Sequence, residues 1–489
     1  MFGLLTVFVV AWTAYGAVTG LSSAVHHDTA EAYVWGREFQ LGYYKHPPLW
    51  AWMAGAWFTI APHQDWAFRL LSMINAALGL WGSWRLIGDF AGGRTRVAAT
   101  LLLLLTPCFT FLAYKFNANS IFLSVWPWTL HYFVRSFETR RISDALLFGV
   151  FMALALLSKY FAVILGVTCL LAASTQQDWR PYFMSLRPYL SAVTALIVLS
   201  PHIWWLFETG FLPFHYFDVE TGRSYAPVIA HALGTIAAVV AFHIVVIAIA
   251  ISCAAIAPKH WRRSVIELWR TPKGRMLMVL ALAPIALTVA LALIFRNKVS
   301  VNMLIGTVSL IPLLVSETVR AVEANLLRRA AFGAVAVTLV SLALSPAIAV
   351  AKIHFSHEPD VMQPRAEVAE VVTQLWRRSV HAPLRYIAGS EFYANATAFY
   401  SPDHPHVFID FDECEAPWVT AERLANGGLM VICDDADASC HANAQRTATA
   451  RTLKAHFMLA HSYAGVSKPA VHFTAFLTPP EFVRPFVRG

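Results

Sequence analysis

The chain has 489 residues, 57% of them hydrophobic and 13% charged, with a mean hydropathy of +0.55. A soluble chain of this length would form about two or three domains, but this composition describes a chain whose bulk lies in lipid. The net charge of +8 follows the loops between apolar runs and gives no ground for nucleic-acid binding.

Apolar runs fall at 1–25, 66–90, 97–113, 118–134, 144–158, 160–173, 189–206, 227–257, 276–295, 301–317 and 330–351. Roughly eleven spans of about 30 Å of hydrocarbon are expected, the pair within 144–173 being the shortest. The first run has no basic start and no small-residue cleavage site, so it reads as a retained helix. Lys and Arg gather in alternate loops: Arg85, Arg94 and Arg96; Arg135, Arg140 and Arg141; Arg180 and Arg187; 259–275; then Arg320, Arg328 and Arg329. With the N-terminus cytoplasmic, all of these loops are inside. An odd number of spans then puts the tail outside, dividing the chain into a membrane domain, 1–351, and an outer domain, 352–489.

The stretch after the first run, "DTAEAYVWGREFQLGYYKHPPLW" (28–50), mixes acids, cations and aromatics. Asp28 and Glu31 are three apart, so on a helix they share a face near its N-terminus. Asp28 as a helix cap is the plain alternative to a chemical role. Trp35, Tyr43, Tyr44, Trp50 and Trp52 suit the interfacial aromatic belt. Pro47 and Pro48 end one helix and let another start at an angle, so two short interfacial helices are expected.

Cations on the outer side break the charge rule: Arg37, Lys45, Arg69, Lys115, Lys159, Arg223, Arg296 and Lys298. A charge at membrane depth costs about 2.5 to 3.5 kcal/mol, so it faces a cavity or a partner. An outer-face anion would serve them all, although snorkelling explains Arg69 and Lys115 equally well. A further polar cluster, His202, Glu208, His215, Asp218, Glu220 and Arg223, has no metalloprotease spacing.

The tail changes pattern. "AEVAEVVTQLWRRS" reads as a helix, "LRYIAGS", "HVFIDF" and "GLMVICDD" as strands, and "HANAQRTATARTLKAHF" as a helix. This is a small α/β domain with no glycine-rich phosphate loop or nucleophile elbow. Asp434, Asp435 and Asp437 could hold a cation, but solvated acids are common after a strand. Of the cysteines, Cys108, Cys169 and Cys253 lie in spans as packing residues. Cys433 and Cys440 are the nearest pair in the tail, with Cys414 the third, and spacing alone does not assign the bridge.

The first stretch, taken with "KFNANSIFLSVWPWT", "LALLSKYFAVIL" and "SPHIWWLFETGFLPFHYF", resembles the polytopic C-type glycosyltransferases of the lipid A aminoarabinose transferase and protein O-mannosyltransferase type. Within them it is most like bacterial members that decorate lipopolysaccharide, such as rhizobial galacturonosyltransferases. The resemblance implies transfer from a polyprenyl monophosphate sugar to a glycolipid or glycan hydroxyl at the periplasmic face of the inner membrane, with inversion. Asp28 matches the family's general base and Lys159 its loop lysine. Arg296 and Lys298 match its late basic residues more loosely, and Arg223 is a further phosphate candidate. Glu31, Tyr43, Lys45, His46, Asn119, His202 and His215 are candidates for substrate binding. Where many relatives carry an acid, this chain reads Asn117-Ala118-Asn119, which argues against a two-acid scheme or a carboxylate-held metal.

No cofactor is expected, a divalent metal is open but not expected to be essential, and membrane lipids are expected partners beside donor and acceptor. Elementary chemistry agrees, since a carboxylate activates a hydroxyl and fixed cations stabilise a departing phosphate. The rival readings are a protein O-glycosyltransferase of the same fold and a lipid-linked substrate flippase. Charges crowded on one face, with no similar halves, count against the flippase.

Overall fold

The computed structural model describes residues 1–219, 224–297 and 301–483. In chain order the first helices are α1 (Phe2–Gly20), α2 (His27–Glu38), α3 (Leu49–Phe58), α4 (Asp65–Phe90), α5 (Gly93–Leu103), α6 (Phe122–Thr139), α7 (Ile142–Ser158) and α8 (Val163–Ser174). Then come α9 (Trp179–Phe183), α10 (Arg187–Glu208), α11 (Leu212–Val219), α12 (Tyr225–Phe242), α13 (Ile244–Ser252), α14 (Trp261–Arg270), α15 (Pro272–Phe295), α16 (Ile311–Thr318) and α17 (Glu323–Phe355). Among the described residues α1, α10, α12, α15 and α17 are long and apolar enough to cross a membrane, and α7, α8 and α16 belong to shorter apolar helices.

Two expected spans are interrupted. The run at 97–113 is helical only as far as Leu103 and then turns through Pro107, since proline cannot extend a helix. The run at 227–257 breaks at His243, whose φ of −107° and ψ of 5° leave the helical region. Its ring Nδ1 lies 2.7 Å from the Val239 carbonyl.

The chain forms two compact units. One is Met1–Thr13, Leu41–Trp50 and Leu70–Leu342; the other is Ala14–Gln40, Ala51–Arg69 and Ala343–Gly489. The helix that carries Asp28 therefore belongs with the tail. In the first unit small residues let helices touch, as is usual where lipid supplies no hydrophobic drive between them. A Cβ on Gly149 of α7 would lie 2.3 Å from the Ser191 carbonyl of α10, and the Ser191 hydroxyl donates to the Ala145 carbonyl at 2.8 Å. In the second, α2 and α3 cross backbone to backbone. A Cβ on Gly36 would stand 2.3 Å from the Ala51 carbonyl, and one on Gly55 2.1 Å from that of Gly36. These are the two short helices expected after the first span, with Pro47 and Pro48 just before the second.

The tail contains α18 (Pro359–Met362), α19 (Arg365–Val380), β1 (Tyr386–Gly389), α20 (Glu391–Tyr400), β2 (His406–Phe408), α21 (Ala421–Gly427), β3 (Leu429–Asp434) and α22 (Ala438–Thr447). It ends with β4 (Leu453–Leu459), a small hairpin of β5 (Ser462–Tyr463) and β6 (Val466–Ser467), and β7 (Val471–Thr478). The sheet order is β2-β1-β3-β7-β4. Strands β2, β1 and β3 are parallel, with Ile387 opposite Val407 and Met430. β7 runs antiparallel to β3 and β4, with Ala475 opposite Ile432 and Ala455.

The helix expected over 441–457 stops at Thr447, and its second half is β4. Ala455, Phe457 and Leu459 are its less exposed positions, a two-residue period that the Ala, Arg and Lys around it disguise. Cys433 and Cys440 form a disulfide joining the end of β3 to α22, and Cys414 is exposed and not part of it.

Candidate active site

In the unit that contains the tail, the loop between α1 and α2 is held at Val25. Its N–H donates to the Tyr400 hydroxyl at 2.7 Å, and that hydroxyl donates to the Asp65 carboxylate at 2.8 Å. Burial, with the Asp65 charge beside it, pushes the Tyr400 phenol well above its usual value, so it remains a donor. The Val25 carbonyl accepts from Arg365 at 3.1 Å. Arg365 is completely buried and also donates to Asp360 at 2.9 Å and to the Gln363 side chain at 2.7 and 2.9 Å. The Asp360 carbonyl takes the Ala24 N–H at 2.9 Å. Backbone groups that a loop would otherwise leave to water are thus bonded to the tail.

This fixed loop sets the start of α2. His26 is the N-cap, with φ −60° and ψ 144°, and its Nδ1 accepts the Asp28 N–H at 3.2 Å. The capping role considered for Asp28 is therefore filled by the residue two before it. The Asp28 carboxylate lies 3.0 Å from His27 Nε2 with 37% of its side chain exposed. Glu31, one turn on, is buried.

The cations expected on this side are partly structural. Arg37 donates to the His404 and Pro405 carbonyls, and Glu38 pairs with His406 at 2.6 Å. Arg69 is buried against Gly16 and Gly20, where a Cβ on Gly20 would be 3.3 Å from a guanidinium nitrogen. That is packing within the protein, not snorkelling.

His26, His27 and Asp360 lie close enough together to be considered for a metal. The chemistry opposes it. A neutral imidazole has one lone-pair nitrogen, and the cap places that lone pair on Nδ1, facing the Asp28 N–H. Nε2 then carries the proton and faces Asp360, 3.9 Å away. The acids at 434–437 serve local turns: Asp437 caps α22 and accepts from Ser390 at 2.9 Å, and Asp435 accepts from Thr474 at 2.6 Å.

The other unit holds the second group of candidates. Lys159 sits in the break after α7, extended at φ −163° and ψ 140°, and its ammonium donates to Asn119 Oδ1 at 3.0 Å. Asn119 is itself placed by Asn117, whose Oδ1 accepts the N–H groups of Asn119 and Ser120 at 3.1 and 2.9 Å. The pair that replaces the family's acid is thus one turn-forming amide and one amide for the lysine.

Next to Lys159, the Tyr160 hydroxyl lies 3.0 Å from His202 Nε2, and His202 Nδ1 lies 2.7 Å from the Leu41 carbonyl. A carbonyl only accepts, so Nδ1 carries the proton and Nε2 accepts from Tyr160. Leu41 opens the loop bearing Tyr43, Lys45 and His46. That loop closes through Tyr43 N–H to the His46 carbonyl at 3.1 Å and His46 N–H to the Tyr43 carbonyl at 3.3 Å. A Cβ on Gly42 would meet the Trp205 ring at 2.3 Å, so glycine lets the loop lie against α10.

The remaining candidates stand elsewhere. Arg296 ends α15 in a left-handed conformation, φ 51°, with its guanidinium 5.8 Å from the Tyr225 ring. His215 is exposed on α11. Arg223 and Lys298 lie outside the described residues. Sequence reasoning missed Tyr160, Tyr400, Asp360 and Arg365; only Tyr160 had a signal, its place beside Lys159.

This arrangement has the fold of a known membrane enzyme. ArnT from Cupriavidus metallidurans, in a crystal structure bound to undecaprenyl phosphate, superposes with a TM-score of 0.61 at 13% identity, covering 97% of this chain and 98% of that one. Residues 45–205 match the family described as dolichyl-phosphate-mannose-protein mannosyltransferase.

Two lipopolysaccharide core galacturonosyltransferases of Rhizobium johnstonii are similar in sequence. RgtB is 28% identical over 220 residues, 42% of this chain and 42% of its own length. RgtA is 24% identical over 432 residues, 84% of this chain and 82% of that protein. The resemblance read from the motifs is therefore shown, and the apolar helices with this fold make the chain a multi-pass membrane protein.

Replacing Arg365 by Met should lower stability by about 3 to 5 kcal/mol, because Asp360 would keep a partly buried charge without its partner. The thermal midpoint of the purified protein measures this, and an unchanged midpoint would contradict it.

Proposed function

We propose that this chain is an inverting glycosyltransferase of the bacterial inner membrane. Its N-terminus is cytoplasmic and its tail periplasmic, following the charge bias of its loops. It moves a sugar from a polyprenyl monophosphate to a hydroxyl of a lipopolysaccharide-type or other cell-envelope acceptor. The observation that carries the reading is the Asp28 carboxylate, relieved of capping by His26 and set in the first turn of a helix whose preceding loop is tied down. The fold of ArnT bound to undecaprenyl phosphate supports the donor class, and the likeness to the core galacturonosyltransferases supports the acceptor class.

In this reading Asp28 takes the acceptor proton as the hydroxyl oxygen bonds to the anomeric carbon. The bond from that carbon to the phosphate oxygen breaks on the opposite face, and the electron pair leaves with the polyprenyl phosphate. Lys159, oriented by the Asn119 carbonyl oxygen, meets the charge that develops on the phosphate. Tyr160 and His202 position the loop of Tyr43, Lys45 and His46, where the sugar and acceptor are held. Glu31, buried one turn beyond Asp28, is assigned to substrate binding on the same helix. Arg296, with Arg223 and Lys298, belongs to the donor side, and no cofactor or metal is required. The matching family's name keeps a protein hydroxyl as a second acceptor, so both acceptor classes belong in one assay.

With purified protein, a polyprenyl phosphate sugar and a lipopolysaccharide core acceptor, Asp28→Asn should cut turnover by about 10² to 10⁴-fold while donor binding persists. A folded, membrane-inserted variant at full rate would remove Asp28 as the base. Lys159→Ala should raise the apparent KM for the donor more than for the acceptor, and an equal rise for both would count against its phosphate role.

A further inference from the structure

We propose that a groove between α13 and α17 binds an anionic phospholipid, with its phosphate on Arg328 and Arg329 and an acyl chain along the groove. The proposal rests on the membrane-spanning reading and is independent of the transfer reaction. The two helices are clamped together where α13 ends: the Val322 N–H donates to the Cys253 carbonyl at 2.8 Å, and Ala254 bridges Ala321. Behind them Val246, Leu326 and Ala330 share a core with Ala98 and Leu102 of α5. Beyond the clamp the surface opens into a cavity of about 680 Å³.

Gly333 lines the groove at its closest packing. A Cβ there would lie 3.1 Å from a Leu105 methyl and 3.7 Å from one of Ile249, so glycine lets α17 lie close against an apolar floor. Exposed Val245 and Phe332 form its walls. Such a slot suits a methylene chain, which gains by covering apolar surface wherever it lies flush.

The polar end of the groove has one sign of charge. Arg328 and Arg329 line it, and among the described residues neither has a hydrogen-bond or ion-pair partner. Two acids of the neighbouring segments have partners of their own: Glu323 accepts from Thr95 at 2.8 Å, and Glu267 pairs with Arg263 at 2.9 Å and with Arg320. Arg328 stands five residues into α17, about 7.5 Å along its axis. The Glu267–Arg320 pair brings α14 to the foot of α17. α14 exposes Ile266 and Trp269 beside Arg262, Arg263 and Arg270, the composition of an interfacial helix at headgroup level. Two guanidinium groups at that level, at the mouth of an apolar slot and with no ion-pair partner among the described residues, are complementary to a phosphodiester carrying a fatty chain. Basic pockets between spans on the positive side are where anionic headgroups bind.

The test is native mass spectrometry of the full-length protein released from detergent with equal amounts of phosphatidylglycerol and phosphatidylcholine. The wild type should retain phosphatidylglycerol preferentially, and glycerol phosphate without chains should not displace it. The double variant Arg328→Gln/Arg329→Gln should lose the preference, and Gly333→Leu should lose retention of the lipid with both arginines in place. Equal retention of the two lipids by the wild type, or a preference that survives in the double variant, would overturn the proposal. Displacement by glycerol phosphate would also overturn it, by showing a bare anion site. The arginines are exposed, so their variants decide the matter should Gly333→Leu fail to fold.

Discussion

Both backbone groups of Val25 are bound by side chains of the tail, the N–H by Tyr400 and the C=O by Arg365, and the start of α2 depends on that grip. A loop between two helices normally leaves its N–H and C=O groups to water, and it moves accordingly. Here the partners lie 375 and 340 residues away and are themselves fixed: Tyr400 by Asp65, Arg365 by Asp360 and Gln363. The next residue, His26, can then cap the helix, so the carboxylate two residues on is not the cap. The small α/β domain, which contains no active-site motif of its own, acts as the brace for an acid near the other end of the chain.

The unit that contains α7 and α10 solves a different problem, that of keeping a cation among apolar helices. Lys159 lies in the break where α7 has stopped, and its ammonium donates to the side-chain amide of Asn119. An amide oxygen orients an ammonium without adding charge of its own, which suits the phosphate role proposed for this lysine. The tautomer of His202 follows from the same reasoning. The Leu41 carbonyl fixes the proton on Nδ1 and leaves Nε2 to Tyr160, linking the helix that bears the histidine to the loop with the Pro47-Pro48 break.

Local patterns made much of this legible. Asp28 and Lys159 stood out as charges in apolar surroundings, and the paired prolines announced the two short helices. The strands at 386–389 and 429–434 were visible as short apolar runs. What escaped detection depends on distant contacts or on unusual choices. Tyr400 and Arg365 look ordinary in a tail helix and matter only through partners hundreds of residues away. Histidine is an uncommon cap, so Asp28 looked the better candidate. For Arg69 snorkelling and function stood level, because only the fold reveals two glycines facing it. β4 was hidden by helix-favouring neighbours, since its two-residue period acquires meaning only against β7.

The grip on Val25 is open to direct measurement by hydrogen exchange, read by mass spectrometry over the peptide spanning residues 21–28. In the wild type this segment should exchange slowly. In Tyr400→Phe it should exchange much faster, while the strands of the tail keep their protection and so show that the domain is still folded. Unchanged slow exchange in that variant, or fast exchange in the wild type, would show that the tail does not hold the loop, and the basis for placing Asp28 would be lost.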